Sequence, residues 1–403
     1  MSARPLAILL ESIHPVADGL LTDAGFVIER ATGALAGDEL ASALARATLL
    51  GIRSKTELRR GFSPHHPLVA VGCFCIGVDQ VDHAHAAAAG CAVFNSPFSN
   101  TRSVAEMTVA EAVCLFRGIV FKSAQLHAGL WGKSAASSHE VRGRTLGIVG
   151  YGHIGSQVSV LAEALGMRVI YYDTSRKLAL GNAQSRPSLD AVLTEADCVT
   201  VHVPETPTTR NLIGAKELAR MKPGAMLINN ARGSIVDVES LVRALESGAL
   251  GGAAVDVFPH EPASAGDRFS SPLMGCANAI LTPHIGGSTL EAQEAIAIDV
   301  AEKLVNFWRH GSTESSVNLP QVDLPVLRAG QLRILHVHRN VPGVLGQMHT
   351  LLAGAGVNIN AEYLQSNERT SVVILDVDPF ERAGVLDAIS ALDATIRMRT
   401  IKG

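Results

Sequence analysis

The sequence predicts an α/β protein: two doubly wound, parallel-sheet domains and then a small C-terminal unit of ferredoxin-like order. Three observations carry this prediction. Short apolar runs alternate with helical stretches through most of the chain, as parallel sheets with helical crossovers require. A glycine-rich turn joins one such run to a helix in the second domain. Residues 331–403 then switch to the order β-α-β-β-α-β.

In the first domain, "LAILL" (6–10), "FVIE" (26–29), "ATLLGIR" (47–53), "LVAVGC" (68–73) and "AVFNS" (92–96) read as buried strands. Helices are expected at 38–47 and 81–90. A longer helix starts near residue 100, where Ser103 and Glu106 form the S-x-x-E of a capping box. Six further strands follow: "RTLGIVG", "RVIYYD", "CVTVHV", "AMLINNA", "LGGAAVDVF" and "AILTPHI". Ser288 and Glu291 repeat the capping-box pattern before a helix that should end at Gly311, a C′ glycine. Ala297, Val300, Leu304 and Phe307 would be its buried stripe. Residues 312–330 read as a linker or an edge segment. Beyond them "LRILHVH", "VNINAEYLQ", "TSVVILDVD" and "ATIRMRTI" are strands, with helices from "GVLGQMHTLLAGAG" and "FERAGVLDAISAL".

Composition narrows the function. The 403 residues are 47% apolar and 18% charged, with net charge −4 and 4% aromatics. That balance suits a packed globular chain and speaks against nucleic-acid binding through a basic surface or base stacking. No apolar run reaches the roughly 20 residues of a membrane span, and the first residues lack a signal-peptide pattern, so a cytoplasmic protein is expected. The six cysteines include a C-x-C at 73 and 75, which is not a zinc or redox spacing. No metal site is assigned.

"LGIVGYGHIG" places Gly150, Gly152 and Gly155 as G-x-G-x-x-G between a strand and a helix, and Asp173 closes the next strand 18 residues after Gly155. This combination points to a dinucleotide. The glycines permit a tight turn and close approach of a pyrophosphate, and the helix start supplies amides. Asp173 would accept from ribose hydroxyls and repel a 2′-phosphate, favouring NAD over NADP, although Arg176 and Lys177 nearby soften that preference.

Three charged residues sit in turns after strands of the second domain: Arg232 in "INNARGSIVD", Glu261 in "VDVFPHEP" and His284 in "TPHIGGST". Ligands of open α/β sheets bind beyond the strand carboxyl ends, so the three can meet beside a nicotinamide. Reduction of a 2-oxo acid needs a proton donor near neutral pH, which an imidazole supplies. It also needs a carboxylate to orient that imidazole and a guanidinium to grip the substrate carboxylate. Read singly, an Arg, Glu or His on a loop is more often a solvated or structural residue, and His260 competes with His284 for the histidine role but lacks the rigid glycine loop.

Together these stretches, with "CFCIGVDQVD" and "NSPFSNTRSVAE", resemble the D-isomer-specific 2-hydroxyacid dehydrogenase family over essentially the whole chain, in its branch with a C-terminal ACT domain. The resemblance implies two Rossmann-like domains, the first discontinuous (1–100 with 291–325), around an NAD-binding domain (101–290), and an ACT domain (331–403). It implies that His284 is the acid–base, Glu261 its partner and Arg232 the carboxylate-binding arginine. His153, Ile154, Asn230, Ala231, Asp256, Ile285, Gly286 and Gly287 join the glycines, Asp173, Arg232 and His284 around the cofactor. Arg53, Asn100, Thr101, Trp131 and Lys133 match substrate contacts, the last two on a segment directed to a neighbouring subunit. His338, Asn340 and Asn358 match polar positions that hold an L-serine effector. His260 departs from the family pattern.

The implied reaction is NAD-dependent oxidation of 3-phospho-D-glycerate to 3-phosphohydroxypyruvate, the first step of L-serine biosynthesis. Feedback inhibition by serine, a side reduction of 2-oxoglutarate to 2-hydroxyglutarate and a homotetramer are implied with it. A dehydrogenase for another D-2-hydroxy acid is the alternative enzyme, and a non-catalytic NAD-sensing regulator the alternative class.

Overall fold

The computed structural model describes residues 4–262, 266–380 and 383–403. The chain divides into two compact units, Met1–Ser99 with Gln293–Gly403, and Asn100–Ala292. Among the described residues no helix is long and apolar enough to cross a membrane.

In the first unit β1 (Leu6–Leu9), β2 (Val27–Arg30), β3 (Leu49–Ile52), β4 (Ala70–Cys73) and β5 (Ala92–Asn95) form a parallel sheet of order β2-β1-β3-β4-β5. The expected five strands are all present. β3, β4 and β5 are buried throughout because helices cover both faces, whereas β2 is a partly exposed edge. A helix at Val16–Asp23 was not among those expected; only Ala17 and Leu21 of it are buried, too sparse a pattern to announce itself. From Gln293 onward the helix Leu290–His310 packs on this sheet through Ala297, Val300, Leu304 and Phe307, the expected stripe. It stops at Gly311, whose φ of 73° and bond to the Phe307 carbonyl make it the C′ residue. Residues 312–324 resolve as an edge segment: Ser316 bridges Phe94, Asn318 bonds the backbone of Val93 and Cys91, and Leu319 and Val322 are buried.

The second unit holds β6 (Thr145–Val149), β7 (Arg168–Tyr172), β8 (Gln184–Ser185), β9 (Cys198–Val201), β10 (Ala225–Asn229), β11 (Leu250–Val255) and β12 (Ala279–Leu281). Their parallel order is β12-β11-β10-β9-β6-β7-β8, so the six expected strands gain a two-residue edge strand, β8. The order reverses between β6 and β9, and the glycine loop leaves β6 at that switch point.

Both expected capping boxes are overturned. The helix Thr101–Arg117 starts at Asn100, so Ser103 lies inside it. Ser103 Oγ pairs with Thr289 Oγ1 at 2.8 Å and Glu106 pairs with Arg102, leaving neither to cap. At the second position Thr289 caps, accepting from the Ala292 amide at 3.1 Å, and not Ser288. In both places a partner distant in sequence, or the neighbouring residue, won over the local pattern.

The last strands, β13 (Leu332–Arg339), β14 (Ile359–Ser366), β15 (Thr370–Val377) and β16 (Thr395–Lys402), form an antiparallel sheet of order β14-β15-β13-β16. Glu381 and Arg382, expected in its second helix, lie outside the described residues. One face carries its own core around Met348, Leu352 and Ile389. Leu335, Val337, Val372 and Ile374 on the other share a cluster with Val300 and Phe307. Arginines seal this junction. Arg397 donates to the carbonyls of Ser63, His66 and Ala89. Arg399 donates to the Trp308 carbonyl and stacks over the Trp308 ring at 4.6 Å.

Arg333, fully buried, grips Asp376 through two bonds of 2.6 and 2.8 Å and also reaches the His310 and Pro325 carbonyls. Arg333→Ala strands the Asp376 charge, and should therefore cost about 3–5 kcal/mol, measured as a lowered denaturation midpoint.

Candidate active site

The site of the second unit is built from three loops that leave the carboxyl ends of β10, β11 and β12. After β10, Asn229 fastens the turn, accepting from the Ala231 amide at 3.2 Å and donating to the Arg232 carbonyl at 3.1 Å. Gly233 follows because nothing larger fits: an added Cβ would lie 2.0 Å from the Phe258 carbonyl carbon. That close approach lays the Arg232 loop against the stretch leading to Glu261. The Arg232 guanidinium, partly buried, donates to the Ala231 carbonyl at 2.7 Å.

Glu261 uses both carboxylate oxygens. Oε1 accepts from the Phe258 amide at 3.0 Å, and Oε2 accepts from His284 Nδ1 at 2.8 Å. Nδ1 carries the proton of that bond, which leaves Nε2 for chemistry. Burial raises the Glu261 pKa, but the bonds from His284 and Phe258 outweigh it and hold the carboxyl below its ordinary value. For His284 the Glu261 bond dominates and raises the imidazole above its ordinary 6.5, against partial burial and the Arg232 charge.

His284 sits in the left-handed region at φ 55°, a conformation that a non-glycine residue holds only when its surroundings impose it. Asp256 does so. Its carbonyl accepts from the His284 amide at 2.8 Å, and its carboxylate accepts from the amides of Ile285 and Gly286 and from the Thr282 hydroxyl. Asp256 is 1% exposed, so this is a buried anchor. The glycines have a matching reason. A Cβ on Gly286 would meet Asp256 Oδ2 at 3.0 Å, and one on Gly287 would meet Asn100 Nδ2 at 2.2 Å.

Asn230, expected beside the cofactor, turns its amide inward to Glu111 Oε2 at 2.7 Å and Thr108 Oγ1 at 3.1 Å. Burial pushes the Glu111 carboxyl up to about 7, against the Asn230 bond and aided by the Asp256 charge. Asn229, Thr282 and Glu111 escaped sequence reasoning. Their one signal was a polar residue closing or crossing an otherwise apolar stretch.

At the same carboxyl edge of the sheet, after β6, Gly150 and Gly155 are required by packing: a Cβ would fall 2.5 Å from the His202 carbonyl oxygen and 2.3 Å from the Gly150 carbonyl oxygen, respectively. Gly152 differs, since a Cβ there meets nothing within 4 Å, and it stands at the start of the helix His153–Ala164. That open cradle of helix amides fits a pyrophosphate. Asp173 follows β7 and accepts from the Tyr151 amide through Oδ2 and from the Ser175 amide and hydroxyl through Oδ1, each at 2.9 Å. Burial opposes its charge, but these bonds hold its pKa below the ordinary value, so it is an anion at the carboxyl end of β7. His153 is exposed, while Ile154 is partly buried against the unit's core.

Trp131 and Lys133 follow the helix Ile119–His127, and Trp131 is 81% exposed. Arg53 belongs to the first unit, as do the three effector candidates. His338 is buried and stacked on His336 at 5.0 Å, and burial lowers its pKa. Asn340 donates to the Asn367 carbonyl at 2.8 Å, and Asn358 to Asn360 Oδ1 at 3.2 Å.

Comparison with known proteins accords with this geometry. The model of the D-isomer specific 2-hydroxyacid dehydrogenase NAD-binding domain matches residues 109–286, and that of the AHAS small subunit-like ACT domain matches residues 334–397. The D-3-phosphoglycerate dehydrogenase of Haemophilus influenzae is 48% identical over 396 residues, 98% of this chain and 96% of that protein. The enzyme of the same name from Escherichia coli K12 is 48% identical over 398 residues, 98% and 97% of the two chains. Among solved structures, the NAD-complexed D-isomer specific 2-hydroxyacid dehydrogenase of Lactobacillus delbrueckii is 25% identical, with TM-score 0.66 over 75% of this chain and 97% of that one.

Proposed function

We propose that this chain, which belongs to the D-3-phosphoglycerate dehydrogenase family, oxidises 3-phospho-D-glycerate to 3-phosphohydroxypyruvate as the first step of L-serine synthesis. It is an NAD-dependent oxidoreductase. The observation that carries the reading is the 2.8 Å pair between His284 Nδ1 and Glu261 Oε2, beside the Arg232 loop at the strand ends of an NAD-binding fold.

NAD, when bound, would supply the acceptor for the hydride that leaves C2. His284 Nε2 takes the proton from the C2 hydroxyl as the C2=O bond forms, and returns it in the reverse direction. Glu261 holds the ring and stabilises the imidazolium. Arg232 binds the substrate carboxylate. Gly150, Gly152, His153, Ile154 and Gly155 would receive the pyrophosphate side of NAD and Asp173 its adenosine ribose. Asn230, Ala231, Asp256 and Ile285 to Gly287 would form the nicotinamide side, with Asn230 and Asp256 acting through the loops they tie. Arg53, Asn100, Thr101, Trp131 and Lys133 are assigned to the substrate.

The same reading gives residues 1–100 with 291–325 the substrate-binding role, 101–290 the NAD-binding role and 331–403 the regulatory role. L-serine would act at His338, Asn340 and Asn358. A cytoplasmic homotetramer and a side reduction of 2-oxoglutarate complete it. The test is NADH formation by the purified chain on 3-phosphoglycerate, D-glycerate and D-lactate, with and without L-serine. Turnover of 3-phosphoglycerate well above the others, suppressed by serine, is expected. No turnover on any of the three sinks the assignment, and turnover indifferent to serine removes the effector.

The pH dependence gives a separate check on the pair. Because Glu261 raises the His284 pKa, the imidazole stays protonated to higher pH, and the rate of 2-oxo acid reduction should fall only above the ordinary 6.5. In Glu261→Gln that falling limb moves to lower pH and kcat drops by about tenfold or more. An unmoved limb would reassign the titrating group.

A further inference from the structure

The sheet of the first unit has its own switch point, between β1 and β3, and the loops leaving both strands meet there. Glu11 follows β1 and Arg53 follows β3. Glu11 is 7% exposed, and its carboxylate is saturated by the second loop: Oε1 accepts from the amides of Arg53 at 3.2 Å and Thr56 at 2.8 Å, and Oε2 from the amide of Lys55 at 2.9 Å. Gln80 holds the next peptide, its Nε2 donating to the Arg53 carbonyl at 2.7 Å. Both backbone polar groups of Arg53 are thus fixed, while its side chain is only partly buried and that of Lys55 is exposed. Glu11 and Ser12 have φ of 56° and 51°, left-handed values that two consecutive non-glycine residues keep only when the contacts around them impose it.

An acid this near a proposed anion site looks misplaced. Its charge is directed at three backbone N–H groups of the very loop that carries Arg53 and Lys55. We propose that Glu11 is a positioning residue for the substrate's remote anionic group, holding the Arg53–Thr56 loop so that Arg53 and Lys55 present a preformed two-cation receptor for a phosphate. The proposal rests on the assignment of Arg53 to the substrate under the reading above, and it deepens that reading: binding of the phosphate, remote from C2, is set by the β1–β3 switch point. Preorganisation spares the substrate the entropy of ordering that loop.

The test uses the full chain with Glu11→Ala, Glu11→Gln, Arg53→Ala and the Glu11→Ala/Arg53→Ala double variant. Hydrogen exchange should show the amides of residues 53–56 losing protection in Glu11→Ala, while those of the second unit are unchanged. KM for 3-phosphoglycerate should rise by about tenfold, with kcat and NADH affinity within about threefold of the parent. Glu11→Gln, which keeps one acceptor oxygen, should fall between the two. In the double variant KM should rise by less than the product of the two single effects, because both substitutions act on one receptor. Independent, multiplying KM effects, or protection at 53–56 that survives Glu11→Ala, overturn the proposal. A parent chain that fails to turn over 3-phosphoglycerate overturns the substrate reading and the phosphate receptor with it, while the exchange result still decides whether Glu11 orders the loop.

Discussion

His284→Ala is expected to lower kcat by about a thousandfold and to leave NADH affinity within about twofold of the parent. Two features make the effect large and clean. Nδ1 is committed to Glu261 and the pKa is raised, so the removed group is one prepared to exchange a proton at Nε2. The loop itself is held by backbone and Asp256 contacts, none of which uses the imidazole, so the variant should keep its fold. Steady-state kinetics in both directions, with NADH titration by fluorescence, read the two quantities separately. Activity within about tenfold of the parent would transfer the acid–base role to another residue.

Arg232→Lys is the second large effect, despite conserving charge. Its kcat/KM should fall by about a hundredfold or more, because lysine replaces a planar two-donor grip on a carboxylate with a single mobile ammonium. The arginine is mounted by short-range constraints: Asn229 on both sides of the turn, and Gly233 pressed against Phe258. None of these depends on the guanidinium, so the loss should appear in kinetics and not in melting temperature. A kcat/KM within about threefold of the parent would mean that the substrate carboxylate is held elsewhere.

Much of the fold was legible because buried parallel strands leave continuous apolar runs, and all eleven expected strands of the two parallel sheets are observed. The short edge strand β8 and the helix Val16–Asp23 were not, since neither buries enough apolar surface to leave a pattern. The glycine loop, Asp173 and the three charged turns were legible as candidates. Their neighbours' reasons were not: Gly286 and Gly287 suggested room for a cofactor, and the close neighbours are Asp256 and Asn100. Asn230 suggested a cofactor contact, and its amide is turned into the protein against Glu111.

The sequence by itself determined which strands form, where the dinucleotide loop lies and which residue types can perform acid–base chemistry, because those follow from local periodicity and side-chain pKa. Only the tertiary structure decided that His284 pairs with Glu261, that Asp256 imposes a left-handed backbone on the histidine, and that Ser103 bonds Thr289 instead of capping its helix. Each of those outcomes is a competition between a nearby partner and a distant one. Sequence spacing registers only the nearby partner, and the distant one wins when folding brings it within hydrogen-bonding distance in the favourable geometry.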